Sequence, residues 1–200
     1  HLAVDLLDRA EAARALGALT DVTHVVYAAL HEKPGLLAGW KAEDQMATNL
    51  AMLRNGLEPL LDRAPGLRHV SLLQGTKAYG VHYGLMRVPG REREPRVEHP
   101  NFYWLHEDWL RGRRAGADWT FTIWRPPLIL GHAVGAPMNV IAALCAWATL
   151  CLARGEPFAW PGNEVRLAYD AVDAELLAEA FAWAAEGGGE PDATYNLTNG

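Results

Sequence analysis

The sequence predicts an α/β protein built on a parallel sheet. Residues 23–28, THVVYA, form a continuous β-branched and aromatic run, which is typical of a central strand in a parallel sheet. Residues 43–63 follow, with apolar side chains three and four positions apart, the period of an amphipathic helix. Strands that alternate with helices favour parallel pairing, because each crossover helix returns the chain to the end of the sheet where the previous strand began, so the next strand runs in the same direction.

The other predicted elements continue this alternation. We expect further strands over residues 1–4, 68–73, 119–124 and 194–197. We expect further helices over residues 11–19, 103–113, 139–153 and 173–185. Asp173 is a good N-cap for the last helix. A polar stretch flanked by proline, residues 89–100, predicts a surface loop.

Composition and charge exclude several classes of protein. The 200 residues are 50% hydrophobic and 21% charged, which suffices for a domain with a sizeable core. The net charge of −6 and the lack of a dense basic patch argue against a nucleic-acid partner. The apolar run 140–153 is too short to cross a bilayer, so we expect a buried helix and no membrane partner.

The cysteines and histidines indicate neither a disulfide nor a metal site. Cys145 and Cys151 are six apart on a predicted helix, about 9 Å along its axis, whereas a disulfide needs less than about 7 Å. Reduced, buried thiols are expected, which favours the cytoplasm. The eight histidines form no HExxH motif, and no CxxC motif is present. The adjacent His106, Glu107 and Asp108 point three ways on a helix, and we expect them to be solvated.

A lysine and a tyrosine are the strongest candidates for chemistry. Open α/β sheets bind ligands beyond the carboxyl ends of their strands, and Lys77 follows the strand at 68–73. Tyr103 comes 26 positions later. A nearby ammonium favours the phenolate and lowers the pKa of a tyrosine from its usual value of about 10. Taken singly, Lys77 also fits a solvated surface role, and Tyr103 also fits a core position.

Other strand ends carry weaker signals. Asp5 could accept a hydrogen bond from an adenine amine, or could simply be a turn residue. Residues 28–30 and 126–130 are small or apolar, as an approaching flat ring requires. Tyr79, His82 and Tyr83 could line a substrate cavity or be ordinary loop residues. The sequence lacks the GxGxxG turn that binds a pyrophosphate, and it also lacks the GxSxG elbow of hydrolases.

Several segments, which occur in the same order along the chain as in one known family, resemble the sequences of that family. They are DLLD at 5–8, LTDVTHVVYAA at 19–29, HVSLLQGTKAYG at 69–80, PNFYWLHED at 100–108, WTFTIWRPPLILG at 119–131 and YNLTNG at 195–200. Over nearly all 200 residues the chain resembles the progesterone 5β-reductase/iridoid synthase-like family of atypical extended short-chain dehydrogenases/reductases, and we interpret it as a bacterial-type member.

The resemblance implies an incomplete, doubly wound Rossmann-like parallel sheet with a small, mainly helical substrate lobe. Residues 1–131 would form a partial dinucleotide-binding core, residues 132–190 the substrate lobe, and residues 191–200 a returning core strand. It also implies that about two strands and the phosphate-binding turn precede His1, and that a C-terminal portion follows Gly200.

The resemblance further implies a reductase that uses NADPH, or NAD in its place, and reduces the carbon–carbon double bond of an enone or enal. Its catalytic residues would be Lys77, in a GxKxY context, and Tyr103, in NFYW. Its cofactor-binding residues would be Asp5, Leu6, Tyr27, Ala28, Ala29, Lys77, Tyr103, Pro126, Pro127, Leu128 and Ile129. Its substrate-binding residues would be Tyr79, His82, Tyr83, Met138 and Asn139.

One departure from the family bears on the substrate. Val81-His82-Tyr83 stands where plant members have Gly-Pro-Phe, which argues against steroid or iridoid substrates and for small enones. A carbonyl reductase, or an NAD-dependent epimerase or dehydratase, could be built on the same scaffold. A dinucleotide-binding regulator without activity is a third reading, although it would need no proton donor. A homodimer is one option for the assembly.

Overall fold

The computed structural model describes residues 1–33, 39–134, 140–161 and 169–199. Its helices are α1 (Arg9–Leu16), α2 (Glu43–Arg63), α3 (Phe102–Arg114), α4 (Val140–Arg154) and α5 (Ala174–Ala185), with a 3₁₀ helix at Thr76–Tyr79. Its strands are β1 (His24–Tyr27), β2 (His69–Leu73), β3 (Thr120–Arg125), β4 (Leu128–Leu130), β5 (Ala171–Asp173) and β6 (Ala193–Asn196).

The main sheet has four parallel strands in the order β1-β2-β3-β6. The predicted strands at 23–28, 68–73, 119–124 and 194–197 are confirmed, each within one or two residues of its expected bounds. The chain divides into two compact units. The first unit comprises residues 1–125 and 181–196, and the second comprises residues 126–180 and 197–200.

The core of the first unit lies between the sheet and the helices α2 and α3. Leu53 and Leu57 of α2 and Leu110 of α3 pack with residues of β2 and β3, and all are almost completely buried. Each such side chain contributes roughly 1.5–3 kcal/mol of stability relative to an exposed position. This packing holds β2 rigidly, so the residues that follow it have a defined position.

The N-terminal segment differs from its prediction. Residues 1–5 form no strand, because they make no backbone ladder with another segment of the described chain. A turn follows, in which Asp5 Oδ1 accepts a hydrogen bond from Leu7 N at 2.8 Å. Helix α1 then begins at Arg9, earlier than expected, because the side chain of Asp8 caps it by accepting from Ala10 N and Glu11 N.

The second unit contains β4 and β5, which pair in parallel. Asp173 caps α5 as predicted, because its Oδ1 accepts a hydrogen bond from Glu175 N at 2.7 Å. Helix α4 is largely exposed, so its predicted burial is wrong: an apolar composition gives the tendency to pack but does not provide a covering surface. Both cysteines are free, and Cys145 is exposed, contrary to prediction.

Neither a membrane span nor a metal cluster stands out in the part of the chain that the structure describes. None of its helices combines the length and hydropathy that a bilayer crossing requires. Across the same residues, histidine, cysteine, aspartate and glutamate side chains do not gather in groups of three or more that could hold an ion.

Candidate functional site

The turn after β2 presents Lys77. Strand β2 is almost entirely buried and leads through Gln74 and Gly75 into the 3₁₀ helix that contains Lys77. Gly80 ends this helix with a φ of 77°, a left-handed conformation that glycine adopts without strain. The backbone N–H of Gly80 donates to Lys77 O at 3.1 Å. The lysine therefore lies one turn beyond the carboxyl end of a central strand, as predicted.

Asn101 joins Lys77 to Tyr103. Its side-chain Nδ2 donates to Lys77 O at 2.9 Å, and its Oδ1 accepts from Tyr103 N at 3.0 Å. Asn101 is buried and serves as the N-cap of α3. One amide thus connects the main chain at Lys77 with that at Tyr103, and the structure brings the two predicted residues into one site.

The side chain of Lys77 makes two close contacts. Its Nζ lies 3.4 Å from Oε1 of Glu32 and 3.8 Å from the ring centroid of Trp40. Burial lowers the pKa of Lys77, while the carboxylate of Glu32 acts in the opposite direction. The ammonium is held in place but keeps hydrogen atoms that could be donated to a ligand.

Tyr103 is a buried phenol with a free hydroxyl. Its ring packs against Trp40, with centroids 5.3 Å apart, and against Phe102 at 4.7 Å. Within the described residues, the hydroxyl makes no hydrogen bond. Burial raises the pKa of Tyr103, and the carboxylate of Glu32 raises it further, while Arg125 opposes them. The predicted lowering of this pKa by Lys77 is wrong for this arrangement, because burial and a neighbouring carboxylate dominate.

Trp40 and Glu32 complete the site, and the sequence did not predict either. Trp40 is only 1% exposed and contacts both Lys77 and Tyr103. Its indole Nε1 donates a hydrogen bond to Glu32 Oε1 at 2.6 Å. The same carboxylate oxygen also accepts a hydrogen bond from the Lys77 ammonium. Both residues follow β1, neither belongs to a sequence motif, and their spacing from Lys77 carries no signal.

A buried polar network lies beneath α3. Gln74 donates through Nε2 to Tyr103 O at 3.3 Å and accepts from Arg125 Nε at 3.5 Å. Arg125 NH2 lies 2.9 Å from Glu107 Oε1, and both side chains are almost fully buried. Glu107 and its neighbour His106 are therefore not solvated as expected, because each finds a buried partner on another element: Arg125 for Glu107 and the carbonyl of Asn49 for His106.

The predicted substrate residues form an aromatic cluster beside Trp40. The His82 ring lies 5.6 Å from that of Trp40, 4.6 Å from that of Tyr83 and 5.1 Å from that of His99. His82 is 7% exposed, and neither of its ring nitrogens has a hydrogen-bond partner within the described residues. Burial, aided by the charge of nearby groups, lowers the pKa of His82 to about 4. At neutral pH it is an uncharged ring that can donate or accept a hydrogen bond.

The side chain of Tyr79 contacts the end of β6. Its hydroxyl donates to Asn196 Oδ1 at 2.6 Å, which ties the 3₁₀ helix to the end of β6. The guanidinium carbon of Arg125 lies 5.2 Å from the centroid of its ring. Its role as a substrate residue remains a prediction, and the structure shows a second role in holding the turn.

The predicted cofactor-binding residues Asp5 and Leu6, and those at the end of β1, lie on the first unit. Leu6 packs on the main core, and its carbonyl accepts from Asn55 Nδ2 at 2.8 Å. Tyr27 is the buried last residue of β1, and its hydroxyl has no partner within the described residues. Ala28 is exposed and Ala29 half-buried just beyond it. The strand end is therefore small and open, as a cofactor-binding edge would require.

The other predicted residues belong to the second unit. Pro126 is buried, Pro127 is partly buried, and Leu128 and Ile129 are exposed residues of β4. Met138 and Asn139 lie outside the described residues. The cofactor and substrate roles of all six remain predictions.

Curated relatives confirm the resemblance stated from the sequence. The chain is 32% identical over 212 residues to an (S)-8-oxocitronellyl enol synthase of Antirrhinum majus, with all of the chain and 52% of the relative covered. It is 32% identical over 209 residues to a 3-oxo-Δ(4,5)-steroid 5β-reductase of Arabidopsis thaliana, with the same coverage. The chain therefore spans about half the length of the curated relatives it matches. No protein-family model matches it.

Solved structures confirm the Rossmann-like α/β fold. An RMD structure from Pseudomonas aeruginosa complexed with NADPH has a TM-score of 0.75 at 17% identity, with 100% of this chain and 65% of that chain covered. The Bordetella bronchiseptica enzyme WbmH in complex with NAD⁺ has a TM-score of 0.66 at 20% identity, with 100% of this chain and 59% of that chain covered. At these identities the likeness shows the fold alone.

Proposed function

We propose that this chain carries the catalytic residues of an NAD(P)H-dependent reductase of small α,β-unsaturated carbonyl compounds. The observation that carries the proposal is the Asn101 bridge, which links Lys77 and Tyr103 at the carboxyl end of a central parallel strand. Two relatives with about 30% identity are named as an enol synthase and a steroid 5β-reductase, names that fit chemistry on conjugated carbonyls.

Lys77 and the residues at the end of β1 would hold part of a nicotinamide dinucleotide, whose pyrophosphate-binding GxGxxG turn this sequence lacks. The partly buried ammonium of Lys77 has hydrogen atoms to donate to ribose hydroxyls. The small strand-end residues Ala28 and Ala29 leave space for a flat group to approach. When bound, the reduced cofactor supplies a hydride to the β-carbon of the substrate. We expect the cofactor to be NADPH, with NADH as the alternative.

Tyr103 would hydrogen-bond the carbonyl oxygen of the substrate. Because its pKa is raised, the phenol keeps its proton near neutral pH and acts as a donor. As the β-carbon is reduced, negative charge would develop on the carbonyl oxygen, and the phenol of Tyr103 would stabilise this enolate. Transfer of its proton to that oxygen would give an enol, which becomes the saturated carbonyl compound when the α-carbon takes up a proton.

Lys77 and its neighbours would position this donor. Among the described residues the Lys77 ammonium is the ion-pair partner of Glu32, so it would offset a carboxylate that otherwise lies uncompensated near the reacting oxygen. Trp40 excludes water from one side of Tyr103. His82 and Tyr83 would line the substrate side, and the neutral His82 ring suits an uncharged substrate.

The test is NADPH oxidation by the full-length protein with cyclohexenone or citral. Tyr103→Phe should lower kcat/KM by about tenfold or more, since it removes one preorganised donor to the developing oxyanion. Tyr169→Phe, which alters a strongly exposed tyrosine, is the matched control and should leave turnover unchanged. Unchanged turnover in Tyr103→Phe would remove the proposed role.

Product analysis tests the reaction class. A saturated aldehyde or ketone supports reduction of the carbon–carbon double bond. An unsaturated alcohol would instead show carbonyl reduction on the same scaffold. Binding of NADPH without turnover of any enone or aldehyde would favour a dinucleotide-binding regulator.

The proposal also includes the oligomeric state of the protein and its location in the cell. We expect a homodimer in the cytoplasm, and the two free cysteines fit a reducing compartment. Light scattering after size-exclusion chromatography measures the mass, and a monomer at micromolar concentration would contradict the assembly.

A further inference from the structure

A small cavity of about 70 Å³ lies between the 3₁₀ helix, the loop at residues 87–97 and the end of β3. The polar and aromatic side chains that line it are four arginines, one glutamate and two aromatic residues: Tyr79, Arg87, Arg91, Glu94, Arg96, Trp104 and Arg125. We propose that this cavity binds an oxyanion, the carboxylate or phosphate group of a small acidic ligand. The proposed reduction assigns no role to this cavity.

The charges around the cavity do not balance. Arg87 pairs with Glu94 at 2.8 Å, and Arg125 pairs with Glu107 at 2.9 Å. Arg96 shares that same Glu107 and also pairs with Asp108 at 2.7 Å. Four guanidinium groups therefore meet three carboxylates.

Arg91 supplies the excess positive charge. Within the described residues it has no ion pair. The carboxylate of the adjacent Glu92 is directed to the backbone N–H of Asn196 at 2.8 Å and pairs with no arginine. An oxyanion in the cavity would complete the charge balance.

The wall of the cavity is suited to an anion. The guanidinium carbons of Arg96 and Arg125 lie 5.0 and 5.7 Å from the ring centroid of Trp104. The indole Nε1 of Trp104 is buried without a partner within the described residues. A buried N–H without an acceptor is costly, so a ligand oxygen that approached it would relieve that cost. The charge of the nearly buried Arg125 is screened only weakly by water, whereas Arg87 and Arg91 are exposed to solvent.

The loop that carries Arg87 and Arg91 is held in place by Asn196. Asn196 Nδ2 donates to Gly90 O at 2.9 Å, and Asn196 Oδ1 accepts from Tyr79. Gly90 approaches Tyr79 so closely that a Cβ there would lie 3.2 Å from Cε2 of the ring. Since the loop is already ordered, an anion would bind with a lower entropic cost of arranging its arginines.

The size and chemistry of the cavity limit the ligand. A guanidinium group matches a carboxylate or phosphate with two parallel hydrogen bonds. The volume suits the charged group of a ligand rather than a whole dinucleotide. Trp104 follows Tyr103 directly, and Gln74 hydrogen-bonds both Arg125 and Tyr103 O. The anion is therefore either the acidic end of a substrate or a separate effector.

Isothermal titration calorimetry of the full-length protein tests the site, with sodium phosphate and sodium acetate in a chloride background of constant ionic strength. One anion per chain should bind. Arg91→Ala should weaken binding by about tenfold or more, the loss of one charge-assisted hydrogen bond. Trp104→Phe keeps an aromatic ring but removes the N–H, and it should weaken binding severalfold. Arg93→Ala alters the same loop outside the cavity and should change the affinity by less than about twofold.

Two results would overturn the proposal. In the first, neither anion binds better than chloride. In the second, Arg93→Ala weakens binding as much as Arg91→Ala, which would show general attraction to a basic surface. Circular dichroism of each variant identifies loss of fold, and Trp104→Phe provides a second reading if Arg91→Ala unfolds. Because binding is measured without turnover, this result is independent of the proposed reductase activity.

A kinetic comparison identifies the source of the anion. If it is the acidic end of the substrate, Arg91→Ala should raise KM for an enone that carries a carboxylate and leave KM for cyclohexenone unchanged. If it is a separate effector, KM for the two enones should respond alike, and phosphate binding should still depend on Arg91.

Discussion

The ammonium of Lys77 lies 3.4 Å from a carboxylate oxygen of Glu32, a residue 45 positions earlier in the chain. The same carboxylate raises the pKa of both Lys77 and Tyr103. In Glu32→Gln both pKa values should therefore fall, and both groups should lose their protons at lower pH. The alkaline limb of kcat/KM for the proposed reduction should move to lower pH.

Glu58→Gln is the matched control for this prediction. Glu58 is paired with Arg54 and Arg9 on the surface of α2, away from the site. Its variant should keep the pH profile of the parent protein. An unshifted alkaline limb in Glu32→Gln would show that the carboxylate does not govern the ionisations that matter for turnover.

Asn101→Ser should separate helix capping from catalytic positioning. Serine is as good an N-cap as asparagine, so the free energy of unfolding should fall only by the value of the lost hydrogen bond to Lys77 O, about 0.5–1.5 kcal/mol. The shorter side chain cannot also donate to Lys77 O, so kcat/KM should fall by about tenfold or more if the bridge aligns the site. Asn101→Ala should lose both properties.

Chemical denaturation and steady-state kinetics on the same preparations measure the two effects. Catalytic positioning by Asn101 is supported if kcat/KM falls by about tenfold or more while the free energy of unfolding changes little. If Asn101→Ser kept full activity, the hydrogen bond to Lys77 O would have no effect on the position of the Tyr103 hydroxyl.

Acidification should destabilise the protein between about pH 6.5 and pH 4. Burial lowers the pKa of His82 to about 4, below its unfolded value of 6.5. Within that window the unfolded chain binds a proton that the native chain does not, so stability falls as pH falls. His106, with a pKa also lowered to about 4 by burial, adds to the effect.

Thermal unfolding at pH 7.5 and pH 5 measures this dependence. His82→Phe keeps a ring in the cluster but removes the titrating group, so its Tm should fall less between the two pH values. His132→Gln alters an exposed histidine and should retain the parent slope. Equal slopes in all three proteins would contradict a native His82 that stays neutral.

Glu107→Gln should be among the most destabilising single charge removals in the first unit. It leaves the buried guanidinium of Arg125 without its carboxylate, a change that costs about 3–5 kcal/mol in comparable buried pairs. Asp62→Asn removes the partner of Arg113 in an exposed pair and should cost less than about 1 kcal/mol. Urea denaturation of both variants makes the comparison, and similar losses would mean that burial does not strengthen the first pair.

The sequence predicted the regular elements well, because their signals are local. The bounds of α2, Glu43–Arg63, are as predicted, since its apolar period is long and Pro65-Gly66 stops it. The short strands β4 and β5 were missed, since three residues show no periodicity. The 3₁₀ helix was missed for the same reason, although the loop that contains it was identified as the site.

The polar partners in the site could not be predicted from the sequence. Glu32, which follows β1, pairs with Lys77, which follows β2, and Arg125 at the end of β3 pairs with Glu107 of α3. Both pairs form only after the elements have packed. Charged residues on a helix are usually exposed, so the local sequence predicts a solvated Glu107, whereas the structure buries it.

The arrival of β6 from the far end of the chain has a consequence for biosynthesis. Strand β3 pairs with β6, with Thr122 opposite Ala193, so the residues of the second unit are translated before the main sheet can close. Asn196, which holds both Tyr79 and Gly90, is made last of all these partners. During synthesis, the edge of β3 that pairs with β6 therefore stays unpaired until β6 has been translated, and until then the loop that carries Arg87 and Arg91 lacks its bonds to Asn196.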